Sequence, residues 1–209
     1  METSNNILNG GQILANALVR QGVDTAFGVP GESFLPLLNG LVDHPQFRFI
    51  TCRQEGGAAY MAEAYGKLTG KPGVIMVTRG PGASNAMVGV HTAYQDSTPM
   101  VLLVGQVGTD MVEREAFQEI DYRRMYGQMA KWVASIDRAD RVAEYVSRAF
   151  HVAMSGRPGP VVIDLPKDIL INTAPYQEAT TQSHRSYRPR TEPDAKAIRD
   201  AVRLLKRAH

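Results

Sequence analysis

The chain has 209 residues, of which 44% are hydrophobic and 21% charged, and its formal net charge is +2. This is the composition of a soluble globular protein, and the small, interspersed charge argues against a nucleic-acid partner. The single cysteine, Cys52, excludes an internal disulfide framework and fits a reducing compartment. No apolar stretch is long enough to span a membrane, and the polar N-terminus lacks the apolar core of a signal peptide. We therefore expect a cytoplasmic protein with no membrane partner.

Strand-like and helical runs alternate along the chain, which is the order of a parallel sheet with crossover helices. The predicted strands are 23–29, 47–52, 74–78, 99–105, 132–136 and 161–165. The predicted helices are 10–21, one capped by Ser33, one beginning at Glu55, one that follows a loop at 80–85, 122–126 and 138–155. The fold class is therefore α/β, with three layers (α/β/α), a mostly parallel sheet of about six strands and helices on both faces.

The ends of the chain differ in composition from its centre. Residues 1–9 are predicted to be a disordered start, and 10–170 a single folded domain. Residues 171–192 are rich in Thr, Gln, Ser, Pro and Arg without periodicity, which is typical of a linker. Residues 193–209 include a helical pattern that has nothing local to pack against. We interpret that segment as the start of a further domain of a longer protein.

Familiar catalytic and nucleotide-binding motifs are not matched. The segment 80–85, Gly-Pro-Gly-Ala-Ser-Asn, comes close to a dinucleotide fingerprint, but Asn85 replaces its third glycine. There is no Walker A loop and no Gly-x-Ser-x-Gly elbow. The five histidines are scattered without the spacing of metal ligands. The sequence therefore predicts no metal site within this chain.

Glu55 is the most informative residue, because it lies between a predicted strand and a predicted helix. A side chain at the carboxyl end of a strand in an α/β fold points into the crevice where such folds bind ligands. The competing interpretation is structural, since a carboxylate at a helix start is favoured by the helix dipole alone. The residues around Glu55 decide between the two interpretations.

The chain resembles the N-terminal, pyrimidine-binding domain of thiamine diphosphate-dependent enzymes of the acetolactate synthase family. The order and spacing of the matching segments hold from about residue 8 to 170. The matching segments are 27–31 (Phe-Gly-Val-Pro-Gly), 55–58 (Glu-Gly-Gly-Ala), 61–71, 80–85, 96–100 (Asp-Ser-Thr-Pro-Met), 105–107, 116–119 (Ala-Phe-Gln-Glu) and 156–168.

The resemblance implies that Glu55 is catalytic and contacts the cofactor. The matching glutamate hydrogen-bonds a ring nitrogen of the aminopyrimidine of thiamine diphosphate and drives the ring toward its imino tautomer. That nitrogen then removes the proton from the thiazolium carbon. Aspartate would be one methylene too short for this role, and glutamine could not exchange a proton.

The resemblance implies further cofactor contacts at Pro30 and Gly31, beside the pyrimidine, and at Asn85. Glycine and proline suit a loop that a flat ring approaches closely, although simple turn formation explains them equally well. Ser97 and Arg157 match positions that touch flavin in acetolactate synthases. Arg157 has the alternative of bonding carbonyls in its own turn.

On the substrate side, Phe117 and Gln118 match a pair that reaches over the reacting carbon, Gln118 with a catalytic role and Phe117 in contact with substrate. Lys167 matches a residue at the mouth of the substrate channel. The alternatives are packing of an irregular loop for the pair and a solvated cation for Lys167.

Three residues depart from the synthase pattern. Gln54 replaces a histidine, Gly56 replaces a glutamine, and Gly108 stands where branched-chain synthases commonly have proline. These changes put the acetolactate reaction itself in doubt. The resemblance also implies that Mg²⁺ and the diphosphate are bound by a separate C-terminal domain, so that this chain alone is inactive. It leaves open whether FAD is bound.

The expected function is therefore half of an enzyme that decarboxylates a 2-oxo acid and joins the product to an acceptor, a lyase or transferase reaction. The alternatives are a thiamine diphosphate-dependent decarboxylase or oxidase, and a non-catalytic α/β binding module. We also expect self-association to at least a dimer, with Ala58, Ala59, Ala62 and Tyr65 packing against a second copy.

Overall fold

The computed structural model describes residues 7–176 and 192–208. The strands are β1 (Ile7–Asn9), β2 (Thr25–Gly28), β3 (Arg48–Thr51), β4 (Gly73–Val77), β5 (Met100–Gln106), β6 (Trp132–Ser135), β7 (Pro160–Pro166) and β8 (Thr173–Pro175). The helices are α1 (Gly10–Arg20), α2 (Leu35–Leu41), α3 (Glu55–Thr69), α4 (Gly80–Gln95), α5 (Tyr122–Tyr126), α6 (Val142–Met154), α7 (Lys167–Ile171) and α8 (Ala195–Arg207). Short 3-10 turns lie at Glu32–Phe34, Thr109–Met111 and Ala139–Arg141.

Six strands form one parallel sheet in the order β3-β2-β4-β5-β7-β6. The predicted fold class is confirmed, because helices cover both faces of this sheet. β3 lies on one side of β2, whereas β4 and all later strands of this sheet lie on the other side. The direction therefore reverses between β2 and β4, and open α/β sheets bind ligands beside such a reversal, outside the carboxyl ends of the strands.

Two apolar cores lie on opposite faces of the sheet. One is formed with α1, α2 and α6, and the other with α3, α4 and α5. Alternate residues of β4 supply the two cores, with Val74 and Met76 on the first face and Ile75 and Val77 on the second. Because successive side chains of a strand point to opposite faces, a strand covered on both sides is apolar throughout. This explains the continuous apolar runs of the central strands.

A second, two-stranded sheet was not predicted. β1 and β8 pair antiparallel, with Leu8 opposite Ala174. The expectations of disorder at 1–9 and of a linker at 171–192 are therefore wrong at 7–9 and 173–175. The pairing joins the beginning of the domain to its end. Residues 1–6 and 177–191 lie outside the described residues, so the remaining parts of those two predictions stay predictions.

Two local predictions differ from the structure. Residues 80–85 are not a loop but the first turns of α4, whose second residue is Pro81. Proline suits the first turn of a helix, because its missing N–H would have no partner there. Ser33 does not cap α2, since its Oγ lies 2.9 Å from the hydroxyl of Thr78. Ser33 thus ties β2 to β4 instead.

The helix α8 has an apolar side with Ile198, Val202 and Leu205, and none of its residues is buried. Asp194 caps its first turn by accepting a hydrogen bond from the Ala197 N–H at 2.8 Å. The described helices include none with the length and apolar character needed to cross a membrane.

Candidate functional site

Glu55 is the first residue of α3, directly beyond the carboxyl end of β3. Its side chain is only 9% exposed although it lies at the sheet edge that faces solvent. Gln54 precedes it as the helix cap and accepts a hydrogen bond from the Gly57 N–H at 2.9 Å. The cap is therefore supplied by Gln54, which leaves the carboxylate of Glu55 available for another partner.

That partner is Asn85, on the second turn of α4. Its amide Nδ2 donates a hydrogen bond of 3.0 Å to Oε2 of Glu55. The other oxygen, Oε1, receives no hydrogen bond from the described residues, and a Cβ placed on Gly82 would lie 3.3 Å from it. Oε2 is thus held by Asn85, whereas Oε1 is available to a ligand. The space beside Oε1 remains free because residue 82 is glycine.

The segments after β2 and β4 touch at the reversal of the sheet. A Cβ on Gly31 would lie 2.6 Å from the Cβ of Thr78, so only glycine fits there without a shift. Pro30, one residue earlier, is exposed. Sequence reasoning placed both residues in a loop beside the ligand. The structure places them at the reversal point, which is consistent with that location.

Gln118 and Phe117 lie on the irregular segment between β5 and α5. Gln118 has a left-handed backbone, with φ of 64°, and its carbonyl accepts a hydrogen bond from the Gly80 N–H at 3.0 Å. The segment is thereby fixed to the N-terminus of α4, five residues before Asn85. Phe117 is 76% exposed. An aromatic ring held in solvent on an anchored segment is available for contact with a ligand or another domain.

Lys167 begins α7, beyond the carboxyl end of β7, and donates a hydrogen bond to Oε1 of Glu32. Arg79 donates to Oε2 of the same carboxylate at 2.9 Å. The two cations hold the pKa of Glu32 below its usual value, the Lys167 bond contributing most. Sequence reasoning missed Glu32 and Arg79. For Arg79 the available signal was a charged residue close behind the fully buried strand β4.

Ser97 and Arg157 are brought together, but not with Glu55. Arg157 Nε donates to Ser97 Oγ at 2.6 Å, and its NH2 donates to the carbonyls of Tyr94 and Gln95 at 3.2 and 2.9 Å. These contacts lie at the C-terminus of α4, whose 16 residues span about 24 Å. Arg157 therefore caps α4 at the opposite edge of the sheet, and flavin contact there stays a prediction.

Two departures from the synthase pattern contact each other. A Cβ on Gly56 would lie 2.8 Å from Oε1 of Gln54 and 3.2 Å from the carbonyl of Asn85. The capping side chain of Gln54 thus occupies the space that a longer residue at 56 would need. The two replacements form one local arrangement at the start of α3.

Asp164 is a buried carboxylate that sequence reasoning did not single out. It lies in β7 and accepts a hydrogen bond of 2.5 Å from Ser135 Oγ in β6. Burial raises its pKa to about 6, and the Ser135 bond opposes that rise. The signal was present, because an acidic residue interrupts an otherwise apolar strand run. Within 7–176 and 192–208, no cluster of His, Cys, Asp or Glu side chains has the arrangement of a metal site.

Comparison with known proteins decides the family. The model of the family described as "Thiamine pyrophosphate enzyme, N-terminal TPP binding domain" matches residues 8–125. The chain belongs to this family. Like the resemblance, the match includes the Glu55 segment and the start of α4. It therefore places the Glu55–Asn85 pair within the thiamine pyrophosphate-binding domain.

The chain is also similar to acetolactate synthases. It is 42% identical over 169 residues to the mitochondrial acetolactate synthase catalytic subunit of Saccharomyces cerevisiae, covering 81% of this chain and 25% of that protein. It is 40% identical over 204 residues to the acetolactate synthase large subunit of Buchnera aphidicola, covering 97% and 36%. For the isozyme 3 large subunit of Escherichia coli the values are 39% over 201 residues, 95% and 35%. The chain spans about a quarter to a third of these relatives.

Proposed function

We propose that this domain supplies the activating glutamate of a thiamine diphosphate-dependent enzyme that acts on 2-oxo acids. The observation that carries the proposal is the state of Glu55, a carboxylate withdrawn from solvent with one oxygen anchored by Asn85. No cation of the described residues is paired with it, so its charge is not committed to a structural ion pair.

The residues around Glu55 suit the aminopyrimidine of the cofactor. Asn85 fixes the orientation of the carboxylate, and Oε1 is open to share a proton with a ring nitrogen. A carboxylate sheltered from water transfers a proton to its partner more effectively than an exposed one, because water does not compete with that partner for the carboxylate. When bound, thiamine diphosphate would supply the carbon nucleophile for the carbonyl of a 2-oxo acid, and Glu55 and Asn85 would hold its aminopyrimidine.

The reaction we favour is decarboxylation of a 2-oxo acid followed by transfer of the remaining fragment to an acceptor. The similarity to acetolactate synthases supports this choice. Gln118 and Phe117 would lie on the substrate side, since their segment is fixed to α4 near Asn85. Simple decarboxylation or oxidation is the second candidate, favoured by the altered start of α3 at Gln54 and Gly56.

The diphosphate and Mg²⁺ are assigned to another domain of the full-length protein. A diphosphate needs cations or several donors to offset its charge, and the described residues offer no carboxylate cluster for Mg²⁺. The 209-residue chain alone should therefore bind the cofactor weakly and be inactive. FAD binding would use Ser97 and Arg157 at the far edge of the sheet.

Self-association is proposed through the exposed side of α3, not through the alanines expected from the sequence. Ala58, Ala59 and Ala62 are buried against α4 and β4 within the domain. The opposite side carries an apolar stripe of exposed residues spaced as one helical face. The α3 stripe consists of Gly57, Tyr60, Met61, Ala64 and Leu68. An exposed apolar stripe next to the site is suited to covering by a second copy.

Calorimetric titration of the full-length protein with thiamine diphosphate and Mg²⁺ tests the proposal, followed by a screen of 2-oxo acids. We expect micromolar or tighter cofactor binding, and a product with a new carbon–carbon bond. Release of CO₂ with an aldehyde product would support the decarboxylase instead. Absence of cofactor binding by the full-length protein would overturn both.

A further inference from the structure

Three charged side chains from three different strand ends meet at the carboxyl edge of the sheet. Glu32 follows β2, Arg79 follows β4 and Lys167 follows β7. The two oxygens of Glu32 accept from different cations, Oε2 from Arg79 at 2.9 Å and Oε1 from Lys167. Two cations share one carboxylate, so the cluster carries a net positive charge.

Arg79 is largely buried and has few hydrogen-bond partners for a cation. Its side chain is 11% exposed, whereas that of Glu32 is 55% exposed. Glu32 is its only hydrogen-bond partner among the described residues, and its buried Nε has no acceptor there. A buried donor without an acceptor is destabilising, and a solvent-exposed partner offsets little of that cost. Stability alone does not account for this arrangement, whereas a second acceptor that binds Arg79 would.

The cluster adjoins the proposed site through the backbone. Glu32 directly follows Gly31 at the reversal of the sheet. Arg79 directly precedes Gly80, whose N–H is bonded to the carbonyl of Gln118. Arg79 and Glu32 therefore adjoin the segments proposed to contact cofactor and substrate, and Lys167 joins them through its bond to Glu32.

Two cations favour an anionic substrate as their ligand. The decarboxylation reaction indicates which carboxylate of that substrate they hold. A cation on the carboxylate that departs as CO₂ would stabilise the ground state more than the transition state, because that group loses its charge. Cations that assist the reaction should instead hold a carboxylate that stays charged throughout.

We propose that Arg79 and Lys167 bind a carboxylate that the substrate retains through the reaction, and that this carboxylate displaces Glu32 from them. The inference rests on the proposed function, since it assumes a 2-oxo acid substrate. The retained carboxylate belongs either to the acceptor 2-oxo acid or to a dicarboxylic donor. In the absence of substrate, Glu32 binds both cations. Arg79 therefore has a partner for its charge when no substrate is bound.

The test is calorimetric titration of the full-length protein, before cofactor is added, with pyruvate, 2-oxoglutarate and the unreactive dicarboxylate succinate. We expect Arg79→Gln to weaken binding at least tenfold and Glu32→Gln to tighten it several-fold, because the competing carboxylate is removed. Arg141→Gln is the control, since Arg141 also binds two carboxylates, Glu144 on α6 and Asp137 shortly before that helix. Should Arg79→Gln not fold, Lys167→Gln carries the same test.

Binding of all three probes assigns the retained carboxylate to an acceptor acid if Arg79→Gln also slows transfer to the acceptor more than decarboxylation of the donor, and the opposite order of effects overturns the inference. Binding of the dicarboxylates alone assigns it to a dicarboxylic donor. The inference is overturned if no probe binds in an Arg79-dependent way, or if Glu32→Gln weakens binding as Arg79→Gln does. A separate titration with thiamine diphosphate distinguishes this failure from failure of the proposed function. Cofactor binding without anion binding rejects the inference alone, and anion binding without cofactor binding rejects the proposed function.

Discussion

Asn85 and Glu55 are joined across two helices by a hydrogen bond of 3.0 Å, from the amide Nδ2 to the carboxylate Oε2. The bond links the second turn of α4 to the first residue of α3. It fixes one oxygen of the carboxylate and leaves the other oxygen available. The orientation of the proposed proton-sharing group therefore depends on a neighbouring helix as well as on its own.

Asn85→Ala should slow cofactor activation in the full-length protein by about tenfold while leaving the fold nearly intact. The loss of one hydrogen bond to a charged group is about 1.5–3 kcal/mol when buried, and Asn85 is exposed, so the stability change should stay below about 1 kcal/mol. Thermal unfolding and single-turnover kinetics measure the two effects. Unchanged kinetics would show that Glu55 does not need Asn85.

Two helix glycines should respond in opposite ways to alanine. A Cβ on Gly89 in α4 would lie 2.4 Å from the Cβ of Ala59 and 2.8 Å from its backbone, whereas a Cβ on Gly57 in α3 would meet nothing within 4 Å. Gly89→Ala should lower the free energy of unfolding by about 1–3 kcal/mol through overpacking. Gly57→Ala should raise it by up to about 1 kcal/mol through helix propensity. Urea unfolding of this chain measures both, and equal effects would contradict the observed α3–α4 packing.

Asp164 should make the stability of the domain depend on pH. Its pKa rises from 3.8 when unfolded to about 6 when folded, because it is buried. The folded state thus binds the proton more tightly, so this contribution falls as pH rises from about 4 to 6 and stays low above 6. The total change is about 3 kcal/mol at most. In urea unfolding between pH 4.5 and 7.5, Asp164→Asn should lack this decline, and parallel curves for the two proteins would refute the prediction.

The α3 stripe predicts where a second copy binds. Tyr60→Glu places a charge in the middle of the stripe and should shift the full-length protein toward monomer, because burying an unpaired charge is costly. Val42→Glu is the matched control, since Val42 is 75% exposed and follows α2 on the other face of the sheet. Sedimentation velocity measures the effect. An equal shift for both variants, or none for Tyr60→Glu, would place the interface elsewhere.

The pattern of the sequence was sufficient to predict the main sheet, because β4, β5 and β7 are buried apolar runs and strands alternate with helices or turns from β2 to β7. The same reasoning could not find β1 and β8. Each has three residues, and their pairing joins Ile7 to Pro175 across the whole domain. A strand of three residues is too short to show an alternating pattern. Pairing between distant segments gives no signal within either segment. Ser33 was misassigned for a similar reason, because its partner Thr78 lies 45 positions away.

The candidate site was predictable where residues lie shortly after a strand, as Glu55 does after β3 and Gly31 after β2, since the carboxyl ends of parallel strands share one edge. The ion pair between Arg79 and Glu32 could not be predicted, because it joins positions 47 residues apart. Ser97 and Arg157 were expected among the cofactor contacts, but each lies just before a strand, β5 or β7. The amino ends of parallel strands share the edge opposite Glu55, so the strand order alone separates the two residues from it.

The central claim is that Glu55 exchanges a proton with the cofactor, and the most direct test is hydrogen–deuterium exchange at the thiazolium carbon of thiamine diphosphate bound to the full-length protein, followed by NMR. Glu55→Gln should still bind the cofactor but slow exchange by about 10²–10⁴-fold. Glu63→Gln is the matched control, a second buried glutamate of α3 that bonds Thr98 and Lys67, and it should exchange at the wild-type rate. Exchange in Glu55→Gln as fast as in the wild type would contradict the account.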